Sequence, residues 1–403
     1  MQKKLIALAI AGLSSAAFAQ TNVTIYGVAD ASFDFINVSG GNGAASNNTP
    51  NFNRVSTNGS LIGFRGTENL GNGLNALFQF ESDAKFDNGG SLNTNRDSFV
   101  GLSGGFGKVL LGTLTAPTRA LAARLDVNAG EGISSNTAVL GKLGGMLANG
   151  NELKGVITGG NLSTFTGLNF NGRSNDTTSV FDSRHKNSIA YVSPSFSGLQ
   201  ASAVYMANEN KTEGTNAINT SAYDLGLNYD NGPVLVGLTY AEAKVKNNFS
   251  VTDTATPPNT IIGSNLKLKE MRLGGMYDFG NATVRAIYAR TKGQDSTGEV
   301  KQNVWGIGGT YNVTANGKIT AQYYKANDLD SSGSVDNTGA KFYTLGYEHS
   351  LSKRTLLKAN YAYLKNDDKT SSNGGYDFGY NSAGFAGDNI KVSGLQFGLR
   401  HAF

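Results

Sequence analysis

The sequence predicts an all-β protein: a transmembrane antiparallel β-barrel of about 16 strands, with short turns at one end and long loops at the other. Three observations carry this. Apolar and polar residues alternate along many short segments, so each strand has one greasy face and one wet face. Very short turn signals take turns with long polar connections. Past the first twenty residues, no run of eighteen apolar residues supplies a membrane helix.

The elements follow in order along the chain. Residues 1–19 read as a secretory signal peptide: Lys3 and Lys4, an apolar run from Leu5 to Leu13, and Ala17-Phe18-Ala19 before a cut between Ala19 and Gln20. Residues 20–403 then form a single barrel domain. One parity collects Val23, Ile25, Gly27 and Ala29; then Ile62 and Phe64; then Leu74, Ala76, Phe78 and Phe80. The pattern continues through Ile189 and Tyr191, Leu199 to Tyr205, Tyr223 to Tyr229, Val234 to Tyr240 and Trp305 to Tyr311. Between these positions sit Thr24, Asp30, Arg65, Asn75, Gln79, Asp224, Asn228 and Thr310.

The spacers separate a membrane barrel from a soluble sandwich. "ENLGNG", "YDNGP", "DFGN" and "TANGK" are tight turns, whereas "SGGNGAASNNTPNFNRVSTNG" and "KNNFSVTDTATPPNTIIGSN" are long loops. Segregation of this kind is what a barrel with periplasmic turns and outer loops displays. About 24 residues per strand plus connection suits an even-stranded outer-membrane barrel. An open sheet edge in lipid would leave backbone groups unpaired, so the closing "VSGLQFGLRHAF" is predicted to pair with the strand starting near Val23. Its parity turns Leu395, Leu399 and Phe403 outward and Arg400 inward. Tyr205, Tyr223, Tyr229, Tyr240, Tyr277 and Tyr347 are candidates for interfacial girdles.

Composition agrees. Gly numbers 53 and Pro 6, with 17 Tyr, 21 Phe and one Trp, which favours strands and turns over long helices. Absence of cysteine removes disulfides and thiolate metal sites. A formal charge of +4 with no basic run argues against a nucleic-acid partner.

Beside this reading, "NVTIYGVADASF", "GFRGTENLGNGLNALFQFES", "NRDSFVGLSGGFGKVLLGT", "NSIAYVSPSFSGLQASAVY" and "GLQFGLRHAF" together resemble Gram-negative general porins of the neisserial and Burkholderia type, in the right order over essentially the whole chain. The resemblance implies a 16-stranded barrel, a homotrimer in outer-membrane lipid and lipopolysaccharide, and passive diffusion of ions and small hydrophilic solutes. It implies no cofactor. It also implies that Phe403 is read by the barrel-assembly machinery. The family's third outer loop folds into the pore; here it spans 114–183, and "LTAPTRALAARLDVNAGEG" is the one credible helix, with Pro117 in its first turn.

A diffusion pore works through a charge-lined constriction, because a narrow, low-dielectric passage amplifies the field of each fixed charge. With Phe99 outward, parity sends Arg96 and Ser98 inward; with Ile189 and Tyr191 outward, it sends Arg184 and Lys186 inward. Lys358, Asn360, Arg65, Arg272 and Arg285 fall on the inner parity too. By resemblance, Arg96 and Arg184 or Lys186 match the basic wall cluster, and Asp126 and Glu131 on the third loop supply the acidic side. The family commonly places an Arg where this chain has Leu61, so only a mild anion preference is expected.

Other motifs carry less. "GLSGGFGK" has five residues between Gly101 and Gly107 where a phosphate loop needs four, and Val109 replaces the Ser or Thr. "DLDSSGSVD" over 328–336 matches a calcium loop at three positions but has Gly339 at the twelfth, where a bidentate Glu belongs. His185, His349 and His401 are the only histidines, and none has a recognisable Ser or Asp partner nearby in sequence, which argues against an enzyme. A secreted all-β adhesin is the alternative that shares the alternation and the signal peptide.

Overall fold

The computed structural model describes residues 22–41, 51–128, 130, 132–142, 180–208, 211, 218–247, 251–252, 260–261, 266–294, 299–331, 336–368, 376, 378 and 389–403. Ala19, Gln20 and Glu131 lie outside the described residues, as does 143–179 of the third loop.

Sixteen antiparallel strands close into a barrel. They are β1 Asn22–Gly40, β2 in two pieces (Phe52–Ser56 and Leu61–Gly71), β3 Leu74–Asp83, β4 Ser98–Gly104, β5 Gly107–Thr115 and β6 Arg184–Val192. Then come β7 Leu199–Met206, β8 Ile218–Asn231, β9 Val234–Asn247, β10 Leu266–Asp278 and β11 Ala282–Gln294. The circuit ends with β12 Glu299–Asn312, β13 Gly317–Ala326, β14 Ala340–Ser350, β15 Thr355–Asn366 and β16 Ile390–Ala402. Each strand pairs with its sequence neighbours, and β1 pairs with β16 from Val28↔Ala402 to Gly40↔Ile390. The seam continues past the strand: Gly27 N–H donates to the Phe403 carbonyl (3.1 Å) and Phe403 N–H donates back (3.0 Å). A Cβ on Gly27 would stand 2.5 Å from the Phe403 ring, so the missing side chain makes room for that ring on the outer face.

Alternation sorts the two faces as a lipid-spanning barrel requires. Outward positions are apolar and exposed in the single chain, among them Ile25, Phe64, Leu225, Leu238, Leu273, Ile307, Leu345, Leu357 and Leu399. Inward positions carry Asp30, Asp34, Arg272, Thr320, Gln322 and Gln396, all buried. The expected girdle tyrosines all sit outward: Tyr205, Tyr223 and Tyr240 toward the loop end, Tyr229, Tyr277 and Tyr347 toward the turn end. Among the described residues no helix is long and apolar enough to cross a membrane.

Two parity readings fail. Phe99 pairs with Gln79 and faces inward, while Val100 and Leu102 take the lipid side. The run Phe99-Val100-Gly101-Leu102 is apolar on both parities because its inner face is also dry: Phe99 and Leu110 pack on buried Leu114, Ala190 and Val204. Arg96 precedes β4 in a bend, where alternation does not apply. At the start of β6 the ladder slips between Gly112 and Leu114, with Asn187 at φ 51°, so parity counted from Ile189 does not reach Arg184 or Lys186. His185 is the buried residue there, opposite Leu114, and Lys186 is exposed.

The described part of the third loop lies inside the barrel, and the wall is built to receive it. Helix α1 (Pro117–Leu125) starts without a side-chain cap but with Pro in its first turn, and Pro117, Leu121 and Leu125 recur at the four-residue spacing of one helix face. That face lies along β8, β9 and β10, where the inward residues opposite it are glycines. A Cβ on Gly226 would meet Pro117 at 2.7 Å, one on Gly237 would meet Leu121 at 2.4 Å, and one on Gly274 would meet Leu125 at 2.3 Å. Three adjacent strands therefore share a groove that side chains on the wall would fill. Beyond the helix, Val127 packs toward Gly308 of β12 and Ile133 toward Gly394 of β16, so the loop tracks around the inner wall. Val139 and Leu140 are fully buried in the cluster with Leu121, Leu125 and Ile133, which accounts for the apolar character of this stretch.

Gly237→Val combined with Gly274→Val should fill the groove against Leu121 and Leu125, an overpacking worth about 1–3 kcal/mol. The expected outcome is a barrel that keeps its heat-modifiable migration but conducts more per channel in planar bilayers, because the loop is pushed off the wall. Unchanged conductance would show that the groove does not hold the loop.

Candidate functional site

The candidate site is the lumen at the height of the third loop, and its charges divide into those that staple the loop and those that face the passage. Arg272 of β10 heads the first group. Buried completely, it grips Asp182 through two 2.7 Å bonds, contacts Glu270, and donates to the Thr118 carbonyl at 3.2 Å. Thr118 in turn donates its hydroxyl to Asp224 at 2.8 Å, and Glu270 accepts from Thr291 at 2.7 Å. The network ties the start of α1 and the returning end of the loop to one patch of wall. Arg272 is thus on the inner parity, as expected, but beneath the loop.

Asp126 is the second staple. It is 3 % exposed and accepts from Asn128 N–H (2.9 Å), Ser135 Oγ (2.8 Å), Asn136 N–H (2.9 Å) and Gln322 Nε2 (2.9 Å), while its carbonyl accepts from Arg285 at 2.7 Å. Burial pushes its carboxyl above the ordinary range, against these donors. It therefore organises the turn after α1 rather than presenting charge to the pore. The expected acidic face loses Asp126 for this reason. Lys358 is likewise closed off: its ammonium and Asp30 are both fully buried and meet at 2.7 Å.

The remaining cations form a strip along the wall and the loop. Arg65 of β2 stacks over the Tyr26 ring (4.8 Å to the centroid), and Tyr26 donates to Glu81 at 2.7 Å. Arg96 reaches Asp83 at 3.0 Å and Glu81 at 3.5 Å, and Arg184 reaches Asp97 at 2.9 Å. Arg54 and Arg400 continue it, bridged to Asp34 at 3.2 Å and Asp30 at 3.6 Å. Arg119 completes it from the loop. Two residues from both Pro117 and Leu121, it lies on the side of α1 turned away from the wall, where burial and the neighbouring guanidiniums of Arg184 and Arg96 press it down to about 10. It stays charged at neutral pH. Among the described residues, neither Arg65 nor Arg119 has a carboxylate within salt-bridge distance. Strand alternation does not reach Arg119, but the helical period that sends Leu121 and Leu125 to the wall sends Arg119 the other way.

Leu61 faces inward, paired with Val28 and Asp83. The wall is apolar at this position, and the neighbouring Asp83 is taken by Arg96. The 328–336 loop does not assemble a cation site from what is described. Asp328 accepts from Thr338 N–H (2.8 Å) and Gly339 N–H (3.0 Å), and no grouping of metal-binding side chains occurs among the described residues.

A profile of Gram-negative porins matches residues 5–369. The chain is a Gram-negative porin. It is 32 % identical over the full length of both chains to outer membrane porin protein 32 of Delftia acidovorans. To the major outer membrane protein P.IB of Neisseria gonorrhoeae it is 28 % identical, over 91 % of this chain and 94 % of the relative. Its structure is similar to that of an anion-selective porin from Comamonas acidovorans, with a TM-score of 0.71 and 27 % identity over 95 % of this chain and all of the other. The fold is also that of OmpT of Vibrio cholerae in its trimer form, TM-score 0.63 at 14 % identity. The porin resides in the outer membrane of a Gram-negative bacterium, and its family is one of channels; the adhesin alternative finds no support.

Within the porin's strip, Asp97 is the carboxylate that pairs with Arg184, at 2.9 Å. Burial alone would raise its carboxyl, but Arg184 and the two bonds from Thr115 outweigh that and hold it below the ordinary range. For a carboxylate held low in the folded state, the pairing is complete above the unfolded value of about 4 and is lost as pH falls through the lowered folded value. Anion preference should therefore stay flat from neutral pH down to about 4 as far as this pair is concerned, and rise only in stronger acid. Asp97→Asn should show the higher preference already at pH 7. Reversal potentials across a KCl gradient measure both, and a variant indistinguishable from wild type at pH 7 would remove Asp97 from the ion path.

Proposed function

We propose that this porin passes small hydrophilic solutes and ions by diffusion with a mild anion preference, set by Arg65, Arg96, Arg119 and Arg184 along the constriction. The observation that carries the reading is that Arg65 and Arg119 have no carboxylate in ion-pair contact among the described residues, whereas the acidic side chains around them are engaged by Arg96, Arg184 and Arg272. The anion-selective character of the Comamonas acidovorans porin, similar over the whole barrel, supports it. Glu131 is assigned the acidic side of the passage, Lys186 a place at its outer approach. Leu61 keeps the preference mild.

The same reading includes a homotrimer, to which the trimeric form of a same-fold porin lends support. It also includes a signal peptide cut between Ala19 and Gln20, contacts with outer-membrane lipid and lipopolysaccharide, and recognition of Phe403 by the barrel-assembly machinery.

Reversal potentials in a KCl gradient test the selectivity. Arg119→Ser should lower the anion preference and Leu61→Arg should raise it, each by roughly the few-fold permeability ratio that one unit charge in a confined pore produces. A clear cation preference in the wild type would overturn the assignment. Openings of the purified wild type in steps of three would accord with the trimer. Deleting Phe403, half-exposed on the outer face, should cut outer-membrane levels severalfold while leaving the conductance of assembled channels unchanged; normal levels would remove it as a signal.

A further inference from the structure

Four lysines stand side by side on the outer face at the loop end of the barrel, one from each of four consecutive strands. Their Cα positions are directly paired across the sheet: Lys325 of β13 with Lys341 of β14, Lys341 with Lys365 of β15, and Lys365 with Lys391 of β16. They share the parity of Tyr323, Tyr343, Tyr363 and Leu395, which is the lipid side. Neighbouring strands lie about 4.8 Å apart, so the row is about 15 Å long. Like charges directly opposite one another destabilise a sheet. No ion pair among the described residues joins any of the four to a carboxylate.

The neighbouring strands show how the barrel treats such lysines when it neutralises them itself. At the same end of β9 to β12, Lys244, Lys267 and Lys269 surround Glu242 at 2.8, 3.2 and 3.7 Å, and Lys292 and Lys301 share Glu299. Lys269, Lys292 and Lys301 are also directly paired across strands, so the arrangement is the same, but with carboxylates interleaved. On β13 to β16 no such clamp forms among the described residues: Asp367, just past β15 and beside Gly339, makes no ion pair with any of the four lysines. Two residues toward the membrane lies an aromatic row: Tyr323, Tyr343 and Tyr363 are paired across β13, β14 and β15, with Trp305 against Tyr323 (centroids 5.4 Å) and Tyr343 stacked on Tyr363 (5.0 Å). Aromatic rows of this kind mark the boundary between hydrocarbon and headgroups. The lysines thus sit at headgroup height, in the leaflet on the side of the long loops.

We propose that the row Lys325, Lys341, Lys365 and Lys391 binds a bisphosphorylated glycolipid headgroup of the outer leaflet, which supplies the negative charge that Glu242 and Glu299 supply elsewhere on the belt. A row of this length reaches two phosphates at once, and each lysine near an anionic surface strengthens binding. The proposal rests on the outer-membrane orientation and gives the lipopolysaccharide contact named above a specific site.

The test uses the full-length trimeric protein in nanodiscs containing bisphosphorylated lipid A, with native mass spectrometry counting retained lipid. Changing all four lysines to Gln should lower lipid A affinity at least about tenfold, whereas Lys269→Gln with Lys292→Gln and Lys301→Gln should change it less than about twofold, and changing the four to Arg should preserve it. Conductance in planar bilayers should be unchanged in every variant, which separates failure of this site from failure of the channel reading. Equal lipid A retention by the Gln variant overturns the proposal. So does equal retention of dephosphorylated lipid A or of phosphatidylglycerol, or displacement of lipid A by millimolar inorganic phosphate, which would mark a free-anion site. Should the Gln variant lose heat-modifiable migration, the Arg variant decides: retention supports the site and loss overturns it.

Discussion

Inside hydrocarbon no water takes up a free N–H or C=O, and each unpaired group there costs several kcal/mol. The whole molecule is organised by that condition. It closes the sheet, so that β16 must find β1 and residues near 400 pair with residues near 30. Closure in turn makes alternation strict, since each strand now has lipid on one side and lumen on the other. The second strand is the exception that tests the rule. It breaks at 57–60, and there the Ser60 hydroxyl accepts from Asp30 N–H and donates to the Asp30 carbonyl, both at 2.8 Å, so the ladder is mended by a side chain.

A closed barrel of this size would leave a wide hole, and the lumen is narrowed by a loop that has to be held in water without a core of its own. Two devices hold it. The glycines at 226, 237 and 274 let apolar side chains of α1 sit directly on the sheet backbone. Buried charge then fixes position along the wall: Arg272 among Asp182 and Glu270, and Asp126 among four donors. Buried ion pairs add little net stability but fix geometry strongly, since breaking one leaves an uncompensated charge. A constriction needs that fixity, because the field on an ion varies steeply over a few ångströms.

The barrel was legible because its signal is repeated in strand after strand; one misread strand changes little. Site residues are singular, and each misreading has a local cause. Phe99 lies where the lumen wall is as dry as the lipid face, so alternation lost its contrast. Lys186 lies beyond a bulge, and a single inserted residue shifts the parity past it, so His185 rather than Lys186 is the buried residue there. Asp126 looked like a pore carboxylate because sequence records its charge but not the four donors that consume it. Arg119 could have been found by applying the helical period to the one helix that was recognised.

The seam has a consequence for the order of events in folding. The pairing of Val28 with Ala402 is among the least local contacts the chain makes, and loop closure on that scale is slow relative to forming the hairpins between. Fourteen strands can zip to their sequence neighbours while both outer edges still wait. During that interval the nascent sheet presents two ladders of free donors and acceptors, each able to capture a strand from another chain. Completion of the cylinder is thus a commitment step that abolishes its own hazard: once Gly27 and Phe403 have exchanged their hydrogen bonds, no edge is left for a stranger to join.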